Sequence, residues 1–163
     1  MTYLLDANVF IQAKNLHYGF DFCPAFWDWL IENNKAGKVF SIEKVRDELE
    51  AGNDELATWA EERESDFFLE PDTLTAAKFA EVSNWASAQR YDPAAVSTFL
   101  QIGDYYLITH ALAHGFTVIT HEVPARTTKK IKIPIACLGL GIKYMSPYEM
   151  LRREKALFIL GRI

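Results

Sequence analysis

Four acidic residues, far apart in the sequence, have types and positions that could serve chemistry: Asp6, Glu48, Asp104 and Glu122. Carboxylates gathered within a few ångströms repel one another, which raises their pKa values unless a cation neutralises them. Such hard oxygen ligands suit Mg²⁺ or Mn²⁺, ions that keep several waters and bind phosphate oxygens. One or two of these ions, held by the four acids, could activate water and stabilise the leaving oxygen when a phosphodiester is cleaved.

Two of the acids follow predicted strands. Asp6 comes directly after the apolar run Tyr3–Leu5, and Glu122 comes two residues after a strand predicted over residues 116–120. In an open parallel sheet, ligands bind beyond the carboxyl ends of the strands, where both acids would lie. Asp6 could equally cap the helix that begins near Val9, and Glu122 could be an ordinary loop acid.

The other two acids belong to predicted helices. Glu48 borders the buried stripe of a helix over residues 42–51, although its position also fits a solvated helix face. Asp104 opens an otherwise apolar helix that runs to His114, and a carboxylate on an inward face is costly unless it is paired or bound to metal. Its alternative role is a favourable contact with the positive end of the helix dipole.

Strands that alternate with helices predict a parallel sheet, and therefore an α/β fold. The expected strands cover residues 3–5, 38–40, 67–69, 116–120 and 142–145. We expect helices over Pro24–Lys35, over residues 42–51 with Ser41 as N-cap, over residues 74–88, and after Ser146, which begins a capping box.

The length of 163 residues and the absence of a linker rich in Pro, Gly or Ser predict a single domain over residues 1–163. No apolar run reaches the roughly 18 residues of a membrane span, and two cysteines suit a reducing compartment, so we expect a cytoplasmic protein without a membrane partner. Residues 1–122 carry 20 acidic and 8 basic side chains, whereas residues 123–163 carry 2 and 9. The basic part could attract an anionic polymer.

Four segments resemble, in order, the four sequence motifs of PIN domains: residues 4–8, 41–49, 103–115 and 118–122. The first is an apolar strand with Asp6 and then Asn8, and the second places Glu48 before a leucine on a helix. In the third, Asp104 opens a helix that ends at a glycine, and in the fourth a strand is followed by Thr120, any residue and Glu122. The later stretch 130–137 resembles a little-characterised bacterial branch of the family.

The resemblance implies a single-domain PIN-like fold, a parallel sheet with helices on both faces. It also implies a Mg²⁺- or Mn²⁺-dependent endoribonuclease, and many bacterial members are VapC-type toxins that an antitoxin inhibits and that form homodimers. By motif position, the catalytic metal ligands would be Asp6, Glu48, Asp104 and Glu122. Asn8 and Thr120 would orient a carboxylate or a metal-bound water. Glu122 departs from the commoner Asp, and residues 53–92 form a helical elaboration that is long for a compact toxin.

A basic run that follows Glu122 would contact RNA phosphates through Arg126, Lys129, Lys130 and Lys132, or it is simply a solvated loop. This run contains no aromatic residue, so we expect the tryptophans to lie in the core or at interfaces instead of stacking on bases. His110 and His114, four residues apart on a helix, have the spacing of zinc ligands but lack the glutamate of a zinc protease motif, and packing roles are expected.

Two other classes of function compete with the nuclease. A phosphohydrolase with Asp6 as nucleophile usually carries a general acid two residues later, where this sequence has Asn8. One non-catalytic alternative is a receiver-like domain that binds a cation, which needs adjacent acids after the first strand, and Leu4-Leu5-Asp6 lacks that pair. The other is an interaction module whose site has decayed, and the presence of all four acids in order argues against decay.

Overall fold

The computed structural model describes residues 1–161, which build a five-stranded sheet with every pairing parallel. The strand order is β3-β2-β1-β4-β5. The strands are β1 Tyr3–Leu5, β2 Val39–Ile42, β3 Phe68–Leu69, β4 Thr117–Ile119 and β5 Tyr144–Met145. In the central strand, Leu4 lies opposite Phe40 of β2 and Val118 of β4. The parallel sheet that the alternation of elements predicts is therefore present.

Helices flank this sheet on both faces, and a π-helical turn over Ala13–His17 extends the first of them. In chain order they are α1 Ala7–Gln12, α2 Pro24–Lys35, α3 Glu43–Glu50, α4 Glu55–Glu61, α5 Thr73–Ala76, α6 Phe79–Ala88, α7 Pro93–Phe99, α8 Gly103–His114, α9 Ile133–Leu140 and α10 Pro147–Arg153. In the described part of the chain, no helix has the length and apolar character needed to cross a bilayer.

The chain leaves β1 in one direction towards β2 and β3, and later adds β4 and β5 on the other side of β1. The direction of winding therefore reverses between β1 and β4, and in open α/β sheets ligands bind in the crevice at such a point. Asp6 lies at this crevice, directly after β1, and its backbone N–H donates to the carbonyl of Ile119, the last residue of β4, at 2.9 Å. Fold and register thus bring the first and fourth motifs side by side.

The core is dominated by aromatic side chains packed around the strands. The Phe10 ring lies 5.8 Å from Trp59 and 6.0 Å from Phe68, measured between ring centroids. Trp27 packs edge-on against Trp59 at 5.0 Å, and both indoles are buried. These two tryptophans are core residues, as expected, whereas Trp85 is only half-buried.

Several local signals predict the element ends correctly. Helix α2 covers Pro24–Lys35 with Pro24 in its first turn. Helix α8 ends at Gly115, whose φ of 69° is the left-handed conformation that glycine adopts most easily. The Ser146 hydroxyl caps α10 by accepting from the backbone N–H of Glu149 at 3.2 Å.

Three predictions of elements are wrong. Ser41 is not a helix cap, because it belongs to β2 and its hydroxyl donates to the carbonyl of Leu5 at 2.6 Å. The single helix expected over residues 74–88 is two helices, since the chain breaks between α5 and α6. The sequence predicts no helix over residues 133–140, where the structure has α9, because Pro134, Gly139 and a continuous run of apolar residues hide its helical period.

The segment 53–92, expected as a helical elaboration, also contributes strand β3 to the sheet. Its helix α4 packs on α3, while α5 and α6 pack on α8. Leu56 and Val82 from this segment belong to the same hydrophobic core as the central strands. These contacts hold α8, the helix that carries Asp104, against the sheet.

Candidate functional site

Asp6 lies at the bottom of the crevice and is 6% exposed. One carboxylate oxygen accepts from the backbone N–H of Ala7 at 2.7 Å, so the residue also caps α1, and the other accepts from the Thr120 hydroxyl at 3.0 Å. Burial, and then the nearby charges of Asp104 and Glu122, raise the pKa of Asp6 to about 8, against the lowering effect of its hydrogen bonds. Asp6 therefore caps α1 and also places a carboxylate in the crevice, so the two alternatives considered for it do not exclude each other.

Thr120 links the first and fourth motifs through its buried hydroxyl. Besides donating to Asp6, this oxygen accepts from the Asn8 amide at 3.3 Å and from the backbone N–H of Glu122 at 3.1 Å. The Asn8 carbonyl oxygen in turn accepts from the backbone N–H of His121 at 3.1 Å. These bonds fix the rotamer of Asp6 and the start of the loop that carries Glu122.

Asp104 is the second residue of α8 and is half-buried. Burial and the charge of Glu122 raise its pKa to about 6; Glu48 adds to the rise, while Lys130 and Lys132 oppose it. The start of α8 lies against α3, since a Cβ on Gly103 would be in ordinary van der Waals contact with the Cβ of Lys44 at 3.7 Å. Helix packing thus places Asp104 between the crevice and the helix that carries Glu48.

Glu122 reaches the same neighbourhood, but both of its carboxylate oxygens have other partners. One accepts from the backbone N–H of Ile133 at 3.0 Å, at the N-terminal end of α9, and the other lies 3.5 Å from the Lys130 ammonium. A carboxylate at a helix N-terminus is favoured by the helix dipole. Glu122 is therefore held at the edge of the crevice by the helix that the sequence analysis missed.

Glu48 is exposed on α3 and stands at the rim of the crevice. Its charge contributes to the raised pKa of Asp104, so it lies within electrostatic range of that carboxylate. The structure thus brings Asp104 and Glu122 within electrostatic range of Asp6, and brings the exposed Glu48 within range of Asp104.

The charge of these acids also reaches α9. Burial, and then the charges of Glu122 and Asp6, raise the pKa of the fully buried Cys137 thiol to about 12. Three elements, β1, β4 and α9, therefore meet around one acidic crevice.

A divalent cation fits the chemistry of this donor set: oxygen ligands, mutual repulsion and a buried acid with a raised pKa. Among residues 1–161, however, no three Asp, Glu, His or Cys side chains form a group that could hold a metal ion. Mg²⁺ is commonly bound through only one or two carboxylates with waters completing its octahedron, so a pair of acids such as Asp6 and Asp104 is the smallest set of protein ligands that such an ion would need. Glu122 would join them only by leaving Ile133 and Lys130.

The four basic residues predicted to contact RNA lie in two places. Lys130 and Lys132 are close enough to Asp104 to lower its pKa. Arg126 and Lys129 come earlier in the same loop and line two separate grooves, the second of which Lys130 also lines. The loop therefore connects the acidic crevice to a second surface.

The rings of His110 and His114 stack on each other, with their centroids 4.6 Å apart. His114 Nε2 lies 2.8 Å from a carboxylate oxygen of Asp72, and His110 Nδ1 shares a hydrogen bond with the Thr75 hydroxyl at 3.3 Å. Burial and the charge of His114 lower the pKa of His110 to about 4. Both histidines join α8 to α5, in keeping with the packing roles expected for them.

Three rings beside the crevice had no signal in the sequence: His17, His121 and Tyr148. The His17 ring lies 5.4 Å from His121 and 5.6 Å from Tyr148, and its Nε2 is 2.9 Å from the Tyr148 hydroxyl. His121 and Tyr148 line a cleft of about 480 Å³ that also contacts Glu122. The three residues are distant in sequence, so only the tertiary structure brings them together.

The fold is similar to that of a solved structure. A chain in the crystal structure of FitAcB from Neisseria gonorrhoeae is similar to it with a TM-score of 0.55 and 20% sequence identity, over 90% of this chain and 99% of that chain. With the parallel sheet and flanking helices, this likeness makes the fold PIN-like.

The family is shown by sequence. The chain belongs to the family described as "Domain of unknown function (DUF4411)", whose model matches residues 3–158. No curated protein matches the sequence.

Proposed function

We propose that the protein is a metal-dependent endoribonuclease that hydrolyses RNA phosphodiester bonds. One observation carries the proposal: Asp6 is buried at the winding reversal of the sheet with two further acids within electrostatic range, so its carboxylate is unfavourable unless a cation is present. Such an arrangement is typical of a site that is completed by a ligand.

Asp6 and Asp104 would hold a Mg²⁺ or Mn²⁺ ion, with Glu122 and Glu48 as further acids around it. When bound, the ion supplies charge stabilisation and a water activated for attack. One or two ions can be accommodated by this number of carboxylates.

The surrounding residues have definable tasks in this proposal. The Thr120 hydroxyl and Asn8 keep the Asp6 carboxylate in one orientation through the hydrogen bonds described above. Lys130 and Lys132, next to Asp104, attract the phosphates of the substrate towards the acids.

The phosphohydrolase alternative has less support. In that mechanism a general acid stands two residues after the nucleophile, and Asn8 occupies this position with both amide atoms engaged by Thr120 and His121. Asp6 itself accepts two hydrogen bonds, which hold its oxygens in place. The receiver-like alternative lacks its adjacent pair of acids, since Leu4 and Leu5 precede Asp6.

The resemblance to PIN-domain toxins adds the biological setting to the proposal. It supports an antitoxin protein as partner, a homodimer as assembly, and a cytoplasmic location. The free thiols of Cys23 and Cys137 agree with a reducing compartment.

Cleavage of a fluorescent single-stranded RNA in the presence of Mn²⁺ tests the proposal. We expect Asp104→Asn to lower the rate by about 100-fold or more, because a ligand should matter at least as much as the groups that orient it. Asp47→Asn, at an exposed acid on α3, is the matched control and should cleave like the native protein. Equal rates for Asp104→Asn and the native protein, or unchanged cleavage in EDTA, would refute the nuclease assignment.

A further inference from the structure

An open groove of about 330 Å³ lies between the end of α6 and the basic loop that follows β4. Trp85, Arg90 and Tyr91 form one wall, and Arg126, Thr127 and Ile135 belong to the other. The two arginines are exposed and the two aromatic rings are half-buried. The basic loop has no ring of its own, but the fold supplies two from a segment more than thirty residues earlier.

The groove is held open by contacts on both sides. The backbone N–H of Asp92 donates to the carbonyl of Thr128 at 2.9 Å, which ties the two walls together. Trp85 packs so tightly against α9 that a Cβ on Gly139 would fall 2.6 Å from its Cε2 atom. The indole therefore has a fixed position, and a ligand would meet a surface that is already formed.

The chemistry of the lining favours a polyanion with flat, apolar parts. Arg90 and Arg126 present guanidinium groups, which suit phosphate oxygens, and in the described structure no acidic residue lines the groove. The Trp85 and Tyr91 rings, 6.3 Å apart between centroids, can stack on unpaired bases. Phosphates together with exposed bases are the properties of single-stranded nucleic acid.

The groove is also connected to the acidic crevice. Lys129 and Lys130 of the same loop line an adjoining groove of about 260 Å³, and Lys130 contacts Glu122 at the crevice edge. The loop thus offers a row of positive charge from the carboxylates to the aromatic rings. A strand that binds along it would have one phosphate at the acids and later nucleotides in the groove.

We propose that this groove binds a single-stranded segment of the RNA substrate away from the cleaved bond, with phosphates on Arg90 and Arg126 and bases on Trp85 and Tyr91. The inference rests on the proposed function only for the identity of the nucleic acid. The groove is a binding surface, and none of its residues takes part in hydrolysis.

Binding measured without metal separates this inference from the nuclease assignment. A fluorescent single-stranded RNA of about 12 nucleotides is titrated in EDTA with the native protein and with the double variant Arg90→Ala/Arg126→Ala. We expect about tenfold weaker binding by the variant, and a dependence of log affinity on log salt that is shallower by about 1.4, for two lost phosphate contacts. The control, Lys35→Ala/Lys143→Ala, removes the same charge from two exposed lysines that precede the amino ends of β2 and β5 and do not line the groove.

Two further measurements keep the outcome decisive. Tyr91→Ala should weaken binding of the single strand more than binding of the corresponding duplex, whose bases are not free to stack. Thermal unfolding of each variant verifies that the fold is intact. If the arginine variant binds RNA as tightly as the native protein, the groove does not bind RNA and is left to a protein partner. If the arginine variant binds RNA weakly and the native protein does not cleave RNA, the groove is an RNA-binding surface but the nuclease assignment is wrong.

Discussion

At the scale of single residues, the Thr120 hydroxyl is the group on which the geometry of the crevice depends. It has three partners, Asp6, Asn8 and the backbone of Glu122, and it is 1% exposed. Its loss would leave buried polar groups without a partner, which costs more than the bonds themselves contribute. A threonine at the end of β4 could be predicted as a supporting residue, but its three partners could not.

Thr120→Val tests this dependence, because valine keeps the shape of threonine and removes the hydroxyl. We expect the free energy of unfolding to fall by about 1–3 kcal/mol, measured by urea denaturation in EDTA. Thr120→Ser retains the hydroxyl and should lose less. A Thr120→Val protein as stable as the native one would show that these hydrogen bonds do not organise the crevice.

The buried His110 predicts how stability depends on pH. Its pKa is lowered to about 4 in the folded protein, whereas an unfolded histidine titrates near 6.5. Below pH 6.5 the unfolded chain binds a proton that the folded chain does not, so this histidine reduces stability as the pH falls from 6.5 towards 4. The titratable groups that face it are His114 and Asp72.

Urea denaturation at several pH values measures this effect through a comparison of native protein and His110→Gln. The native protein should lose about 2–3 kcal/mol more than the variant between pH 7 and pH 4, since glutamine takes up no proton. Identical pH profiles for the two proteins would mean that His110 titrates normally in the folded state.

At the scale of elements, the sequence predicted those with strong local signals. Pro24 predicts the start of α2, and Gly115 predicts the end of α8. The apolar run Tyr3–Leu5 predicts β1. These signals act within a few residues, so they can be recognised in the sequence without the tertiary structure. Ser41 is a residue that local signals misplace. Serine is a good capping residue by type, but here it lies in β2, where its hydroxyl donates to the carbonyl of Leu5 on the neighbouring strand.

Helix α9 shows a second limit. It contains only apolar residues and a glycine, so it lacks the alternation of polar and apolar residues that reveals a helix, and Gly139 within it resembles a helix break. The glycine is needed there because Trp85 occupies the space of a side chain. Close packing between helices, which the sequence does not display, explains why this helix was missed.

Gly139→Ala tests that packing. A methyl group at this position must displace the Trp85 ring, and overpacking should outweigh the higher helix propensity of alanine, for a net loss of about 1–2 kcal/mol in thermal or urea unfolding. Leu138→Ala, at the exposed neighbour, serves as control and should change stability by less than about 0.5 kcal/mol. A stabilised Gly139→Ala protein would show that α9 and Trp85 are not in tight contact.

At the scale of the whole molecule, the parallel sheet explains how acids from distant motifs reach one crevice. That Asp6 and Glu122 would follow strands, and that Asp104 would open a helix, could be predicted from residue type and order. The sequence did not show that Glu122 caps α9, that Glu48 stays exposed, or that His17, His121 and Tyr148 cluster beside the crevice. Those features depend on side-chain contacts between elements, for which local patterns carry no information.

The central claim is that the crevice between β1 and β4 holds a divalent cation. Anomalous diffraction from crystals soaked in Mn²⁺ tests it most directly, because the ion's position is located without assumptions about activity. We expect a manganese peak within about 2–2.5 Å of carboxylate oxygens of Asp6 and Asp104. A fully soaked crystal with no peak in this crevice, or with manganese only on exposed acids elsewhere, would contradict it.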